Sequence, residues 1–134
     1  MTRQGMLNRI QIEGFKSIKS MDLELQPLNL LIGPNGAGKS NFIQLFHFIR
    51  HLQEKNLQFY VSQQPGADRI LHFGRKRTDE LRVSLKFSPN GYVCSLVPTT
   101  SGGLVFREES CSFFADEARI REGLRYINSL AQAT

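Results

Sequence analysis

The sequence predicts an α/β fold in which a mixed sheet surrounds one helix and an antiparallel meander follows. Residues 28–32 are almost continuously apolar, which is typical of a short strand buried on both faces. A glycine-rich segment and a broadly apolar helical pattern over 42–52 come directly after this run. Apolar and polar residues alternate cleanly over 81–87, and this pattern predicts the first strand of the antiparallel part.

Composition narrows the class of protein without identifying its function. The 134 residues correspond to about one domain, and 40% hydrophobic and 22% charged residues exclude a disordered or collagen-like chain. No apolar run reaches the ~18 residues of a membrane span, and no secretory signal pattern is recognisable. The two cysteines, Cys94 and Cys111, fit neither a disulfide framework nor metal-ligand spacing. We therefore expect a cytoplasmic protein without a membrane partner, and the net charge of +5 permits an anionic partner.

Two half-polar strands are predicted before the apolar run. Met6, Ile10 and Ile12 share one parity, with polar residues at 9, 11 and 13, and Gly14 ends that strand. Residues 21–26 alternate in the same way, and Pro27 ends the second strand. Together with the loop and the helix that follow, these strands define a strand-loop-helix unit over residues 6–62.

The second half of the chain has a different pattern. An antiparallel β meander is predicted over residues 80–114, with turns at 89–91 and at 100–103. Apolar residues at helical spacing then predict a final helix over 116–132.

Residues 33–40 match the pattern G-x-x-x-x-G-K-[ST] at every required position. Backbone N–H groups that wrap a phosphate chain need glycines without Cβ bulk, and the following helix directs its N-terminus at the phosphates. Lys39 supplies a positive charge for the β- and γ-phosphates, and the Ser40 hydroxyl is a Mg²⁺ ligand. The predicted nucleotide site consists of Gly33, Pro34, Asn35, Gly36, Ala37, Gly38, Lys39, Ser40 and Asn41.

The segment GPNGAGKSN in this loop resembles the ABC-type ATPase head, and within that class the SMC/RecF-like branch. The segment IQIEGFKSI at 10–18 is similar to the opening strand and turn of that branch, and LELQPLNLLIGPNG at 23–36 is similar to its second strand and loop. Asn41 follows Ser40 at a position where transporter ATPases commonly have Thr. Bacterial AAA-type ATPases with OLD-like or RecF-like heads look most similar.

This resemblance implies a P-loop NTPase fold, of which residues 1–134 form the N-terminal part of an ABC-type ATPase domain. It also implies ATP and Mg²⁺ as cofactors and a homodimer of heads around two ATP molecules in the full-length protein. The implied roles are DNA repair, chromosome maintenance or phage defence.

The second half of such an active site is not recognisable in the sequence. Residues 100–103 contain the SGG of a signature motif, but a hairpin turn is the favoured interpretation. Asp116 and Glu117 resemble the acidic pair of the family's active site, but a helix cap with an acidic first turn is the favoured interpretation. No catalytic residue is therefore assigned.

Four basic residues are weaker candidates for contacts with the nucleotide or with DNA. Lys16 matches the basic residue of the family's turn, and Arg75, Lys76 and Arg77 form a short basic run. For each of them, a solvated surface position is the favoured alternative.

Two functions from different classes remain open at this point. The first is the N-terminal lobe of an ATP-hydrolysing head, and the alternative is a non-catalytic module that senses nucleotide. A transporter ATPase is a third option, but it would usually have an aromatic shortly before the loop for adenine stacking. The nearest upstream aromatic is Phe15.

Overall fold

The computed structural model describes residues 5–113 and the backbone of residues 125–126, which form one antiparallel sheet with helices packed on one of its faces. The strand order is β2-β1-β3-β4-β5-β6. The elements are β1 Arg9–Phe15, β2 Ile18–Glu24, α1 Lys39–Gln53, α2 Leu57–Gln63, a 3₁₀ turn at Ala67–Arg69, β3 Leu81–Phe87, β4 Asn90–Pro98, β5 Leu104–Ser112 and β6 Arg125–Tyr126.

The antiparallel sheet corrects one part of the predicted fold class. The chain is α/β as expected, but every strand pairing in the described residues is antiparallel, so the prediction of a mixed sheet is wrong there. The reason is that residues 28–32, the predicted central strand, do not join the sheet. Leu28, Leu30 and Ile32 are 87%, 81% and 85% exposed. A strand buried on both faces needs partner strands and covering layers, and the described residues place neither of them around this run.

The first strand lies between β2 and β3 and continues further than predicted. Gly14 bends the chain with a φ of +80°, but β1 does not end there, because Phe15 still pairs with Ile18 of β2. Ile10 and Ile12 point into the core and are fully buried. Alternate residues of β1 face solvent, as period-two patterning requires.

Two helices, rather than one, follow the loop in the predicted unit over residues 6–62. Lys55 takes a left-handed φ of +59° after the end of α1, and α2 begins two residues later. The aromatic ring of Phe48 lies 5.4 Å from that of Phe15 and 5.3 Å from that of Tyr60, so strand and helices share one core. Burial of each such side chain stabilises the fold by about 1.5–3 kcal/mol.

One apolar face of α1 is left uncovered by the described residues. The broad apolar pattern over 42–52 is too wide for a surface helix and indicates a helix packed between the sheet and a second layer, but in the described residues only the face with Leu45 and Phe48 is buried. Ile43 is 53% exposed and Phe46 is 37% exposed. The described residues therefore cover one side of α1, and the layer expected on its other side stays a prediction.

The second half of the sheet is the meander that the sequence predicts. β3, β4 and β5 follow one another as antiparallel hairpins, with one shift of register between Ser95 and Leu96. Of the predicted helix over 116–132, only Arg125–Tyr126 are described, and these two residues pair with β5 as a short strand. The other residues of that helix lie outside the described part.

None of the helices in the described residues combines the length and the apolar character that a membrane crossing requires.

Candidate nucleotide-binding site

The glycine-rich loop leads directly into α1 and is shaped by two left-handed glycines. Gly36 and Gly38 have φ values of +84° and +97°, and the helix begins at Lys39. A residue with a Cβ atom would be strained at either position. The sequence therefore places glycine where the backbone of the loop requires it.

Gly33 is needed for a different reason, which is close approach. A Cβ atom at this position would lie 3.3 Å from the Cβ of Ala37 and 3.8 Å from the Nζ of Lys39. The absence of a side chain at Gly33 therefore lets Ala37 and the Lys39 ammonium group pack closely against the start of the loop.

The start of α1 offers unpaired donors and no competing anion. Gly38 has no side chain that could cap the helix, and the first turn contains no acidic residue. N–H groups at a helix start lack intrahelical partners, and the helix dipole adds a partial positive charge there. This end of α1 can therefore accept an anion from solvent.

The ammonium group of Lys39 folds back over the loop. It donates hydrogen bonds to the carbonyl oxygens of Gly33 and Pro34, the latter at 2.8 Å. These partners are neutral, so a phosphate oxygen could displace them and form a charge-assisted bond, which is stronger. The Ser40 side chain is exposed beside this lysine on the first turn of α1.

The turn between β1 and β2 contacts the first two turns of α1. The Nδ2 of Asn41 donates to the Oγ of Ser17 at 2.6 Å. The Nζ of Lys16 donates to the Oε1 of Gln44 and, at 3.4 Å, to the Oε1 of Gln64. The structure thus brings Lys16 to the helix that carries the loop, although its ammonium group faces amide oxygens.

Burial lowers the pKa of the Lys16 ammonium group, because the charged form loses water there. No motif or spacing in the sequence predicts Ser17, Gln44 and Gln64 as partners in this contact. Their contribution depends on the packing of the turn against α1 and α2, which periodicity alone does not reveal.

All three residues of the basic run are exposed, but only Arg75 forms side-chain contacts within the described residues. The guanidinium of Arg75 donates to the carbonyl oxygens of Thr99 and Thr100, both at 3.2 Å, and lies 3.6 Å from a carboxylate oxygen of Asp68. Arg75 therefore ties its loop to the turn between β4 and β5. Lys76 and Arg77 are exposed.

Two segments resemble family motifs, and the structure describes only the first of them. Residues 100–103 form the predicted hairpin turn, in which the Gly102 N–H donates to the Thr99 carbonyl and the Thr99 N–H to the Gly103 carbonyl. Asp116 and Glu117 lie outside the described residues, so their role stays a prediction.

Comparison with known proteins now places the chain in a family. A family model described as AAA ATPase domain matches residues 6–122. The OLD nuclease of Thermus scotoductus is 28% identical over 118 residues, which are 88% of this chain and 21% of that protein. The DNA replication and repair protein RecF of Erwinia tasmaniensis is 31% identical over 86 residues, which are 63% of this chain and 24% of that protein. The chain thus matches less than a quarter of the length of either relative.

These similarities confirm the resemblance to SMC/RecF-like ATPase heads and the assignment to P-loop NTPases. The family assignment agrees with the loop of residues 33–40 and the helix that follows it. The chain belongs to the AAA ATPase domain family.

Proposed function

We propose that residues 33–41 bind ATP with Mg²⁺ and that the chain is the N-terminal lobe of an ATP-hydrolysing, RecF-like ATPase that acts on DNA. The observation that carries the proposal is the loop itself. Two left-handed glycines and an uncapped helix start converge on the ammonium group of Lys39. This arrangement has the donors that a triphosphate requires.

The backbone of the loop and the side chains of Lys39, Ser40 and Asn41 have distinct roles in this proposal. The N–H groups of residues 36–40 surround the phosphates, and Lys39 exchanges its contacts with Gly33 and Pro34 for the β- and γ-phosphates. The Ser40 hydroxyl holds Mg²⁺, whose charge offsets that of the triphosphate. Asn41 contacts Ser17 at 2.6 Å, so it fixes the loop against the β1–β2 turn.

Exposed apolar residues on both sides of the loop support the assignment as one lobe of a larger head. Leu28, Leu30 and Ile32 precede the loop, and Ile43 and Phe46 follow it on α1. A cluster of large exposed apolar side chains marks a surface that another layer of protein covers. We propose that further parts of the head pack on these residues.

The relatives support the proposed role on DNA, and the resemblance to SMC/RecF-like heads supports the proposed dimer. One of the two relatives is a nuclease, and the other is a DNA replication and repair protein. We propose DNA repair, chromosome maintenance or phage defence as the setting, with two heads that join around ATP. Lys16 is proposed to approach the nucleotide when the Gln44 contact opens.

A nucleotide-sensing module that does not hydrolyse ATP is the second candidate. The loop supplies a lysine and a hydroxyl, while the acidic pair that resembles that of the family, Asp116 and Glu117, is favoured as a helix cap. Phosphoryl transfer also needs a group that orients the attacking water. ATP hydrolysis by the full-length protein, with loss of turnover in its Lys39→Ala variant, would exclude this candidate.

Calorimetric titration with MgATP tests the binding proposal. Lys39→Ala is expected to weaken ATP binding by about 1.5–3 kcal/mol, the range for a charge-assisted bond, which is about 12- to 160-fold. Lys86→Ala is the matched control, since it removes one exposed positive charge from β3. Equal affinity of wild type and Lys39→Ala would refute the proposed role of the loop.

A further inference from the structure

Phe73 combines two features that core packing does not explain. Its backbone has a left-handed φ of +57°, and its side chain is 79% exposed. A bulky residue in this region of φ is a genuine outlier. Such strain persists only where the surroundings hold the backbone, and it is concentrated at functional sites.

Hydrogen bonds to neighbouring segments hold the residue before Phe73. The N–H of His72 donates to the Gly14 carbonyl at 3.0 Å, and its Nδ1 donates to the Lys16 carbonyl at 2.6 Å. The Thr78 hydroxyl donates to the carbonyl of His72. The backbone on the N-terminal side of Phe73 is therefore fixed to the turn that also contacts α1.

The residues after Phe73 are fixed as well. The N–H of Gly74 donates to the Leu71 carbonyl at 3.1 Å, and that of Arg75 donates to an Asp68 carboxylate oxygen at 2.8 Å. The ring of Phe73 lies 4.2 Å from that of His72, at an angle of 53°. The fold thus presents an aromatic ring to solvent on a rigid support.

Three exposed basic residues follow Phe73 in the same loop. Lys76 and Arg77 are exposed, and within the described residues neither forms an ion pair or a side-chain hydrogen bond. Arg75, by contrast, contacts Thr99, Thr100 and Asp68 with its guanidinium group. The surface therefore has one rigid aromatic and two available positive charges within five residues.

We propose that the loop of residues 72–77 binds a single-stranded segment of nucleic acid, with a base stacked on Phe73 and phosphates on Lys76 and Arg77. Aromatic side chains next to cations are the means by which proteins hold unpaired strands. A stacked duplex hides the faces of its bases, so the ring selects an unpaired base. The proposal rests on the DNA role proposed above for the class of its partner, and it needs no nucleotide at residues 33–41.

Fluorescence anisotropy with a labelled oligothymidine and the full 134-residue chain tests this proposal. Phe73→Asn removes the ring, and Asn tolerates the left-handed backbone, so the variant is expected to fold. Its affinity should fall about 5- to 150-fold, the range for one stacked base. Phe73→Tyr keeps the ring and should bind within about twofold of wild type. Phe59→Ala removes a different exposed aromatic and is the matched control.

The charges have a separate test, which is the dependence on salt. Changing Lys76 and Arg77 to Ser should reduce the slope of log affinity against log salt by about 1.4, since each phosphate contact contributes about 0.7 on a single strand. A wild type that binds no oligonucleotide at low salt would overturn the proposal and favour a protein partner. Equal affinity of Phe73→Asn and wild type, or equal losses on single strand and duplex, would overturn it too.

Lys39→Ala distinguishes this site from the nucleotide site. It should leave binding of the oligothymidine in the absence of ATP unchanged. A failure of ATP binding with intact strand binding would refute only the proposed nucleotide site, and the reverse result would refute only the proposal for Phe73.

Discussion

Replacement of Gly14 by alanine tests how closely β1 approaches the segment before β3. Gly14 has a φ of +80°, and a Cβ atom would lie 2.6 Å from the carbonyl oxygen of Glu80 and 2.8 Å from the Cγ2 of Thr78. The left-handed backbone costs an alanine about 1–2 kcal/mol. The overlap adds about 1–3 kcal/mol, because a backbone oxygen cannot rotate away as a side chain can. Gly14→Ala should thus lower the free energy of unfolding by about 2–5 kcal/mol.

Gly102→Ala is the matched control for this prediction. Its φ is +88°, but no heavy atom lies within 4 Å of the added Cβ, so only the backbone strain of about 1–2 kcal/mol applies. Urea unfolding of both variants, followed by circular dichroism, gives the two free energies. A Gly14→Ala variant that is as stable as Gly102→Ala would show that the packing of β1 against residues 78–80 is looser than described.

Three further predictions concern the pKa of Asp22, the exposure of residues 28–32 and the rate of ATP hydrolysis. The Arg9 guanidinium, with help from a nearby amide, lowers the pKa of Asp22 from 3.8 to about 2, so this pair stabilises the fold above pH ~4 and the contribution is lost as pH falls to ~2. An NMR titration of that carboxyl should give a midpoint near 2, moving toward 3.8 in Arg9→Gln, and a wild-type midpoint near 3.8 would contradict the pairing. The double change Leu30→Ser and Ile32→Ser should alter the free energy of unfolding by less than about 0.5 kcal/mol per site, and it should reduce light scattering from self-association. A decrease in the free energy of unfolding of more than about 2 kcal/mol would show that these side chains are buried. The isolated chain should hydrolyse ATP far below about 1 s⁻¹, and turnover at that rate that disappears in Glu117→Gln would reveal a complete acidic pair.

Local patterns predicted the elements whose cause is local. The glycine-rich loop, the start of its helix and the hairpins of the meander follow from glycine spacing, turn residues and period-two alternation. The left-handed φ values of Gly36 and Gly38 occur where the motif demands glycine. In these segments each residue's preference and its final environment agree.

The errors occur where burial depends on distant partners. Residues 28–32 have the composition of a central strand, but composition does not supply the neighbouring strands, and the run stays outside the sheet. In the same way, the sequence could not show that Arg75 reaches the carbonyl oxygens of Thr99 and Thr100 while Lys76 and Arg77 have no side-chain partner within the described ranges. Contacts between segments far apart in the chain determine the burial of residues 28–32 and the partners of Arg75.

The most direct test of the central claim is an NMR titration of the backbone amides with MgATP. Bound triphosphate should accept hydrogen bonds from the loop, so the largest and saturable shifts should occur in residues 33–41, with smaller ones at Lys16 and Ser17. In Lys39→Ala the same shifts should saturate only at ATP concentrations about 12- to 160-fold higher. Saturable shifts that leave residues 33–41 unchanged, or no saturable shifts at all, would contradict the assignment of this loop as the ATP site.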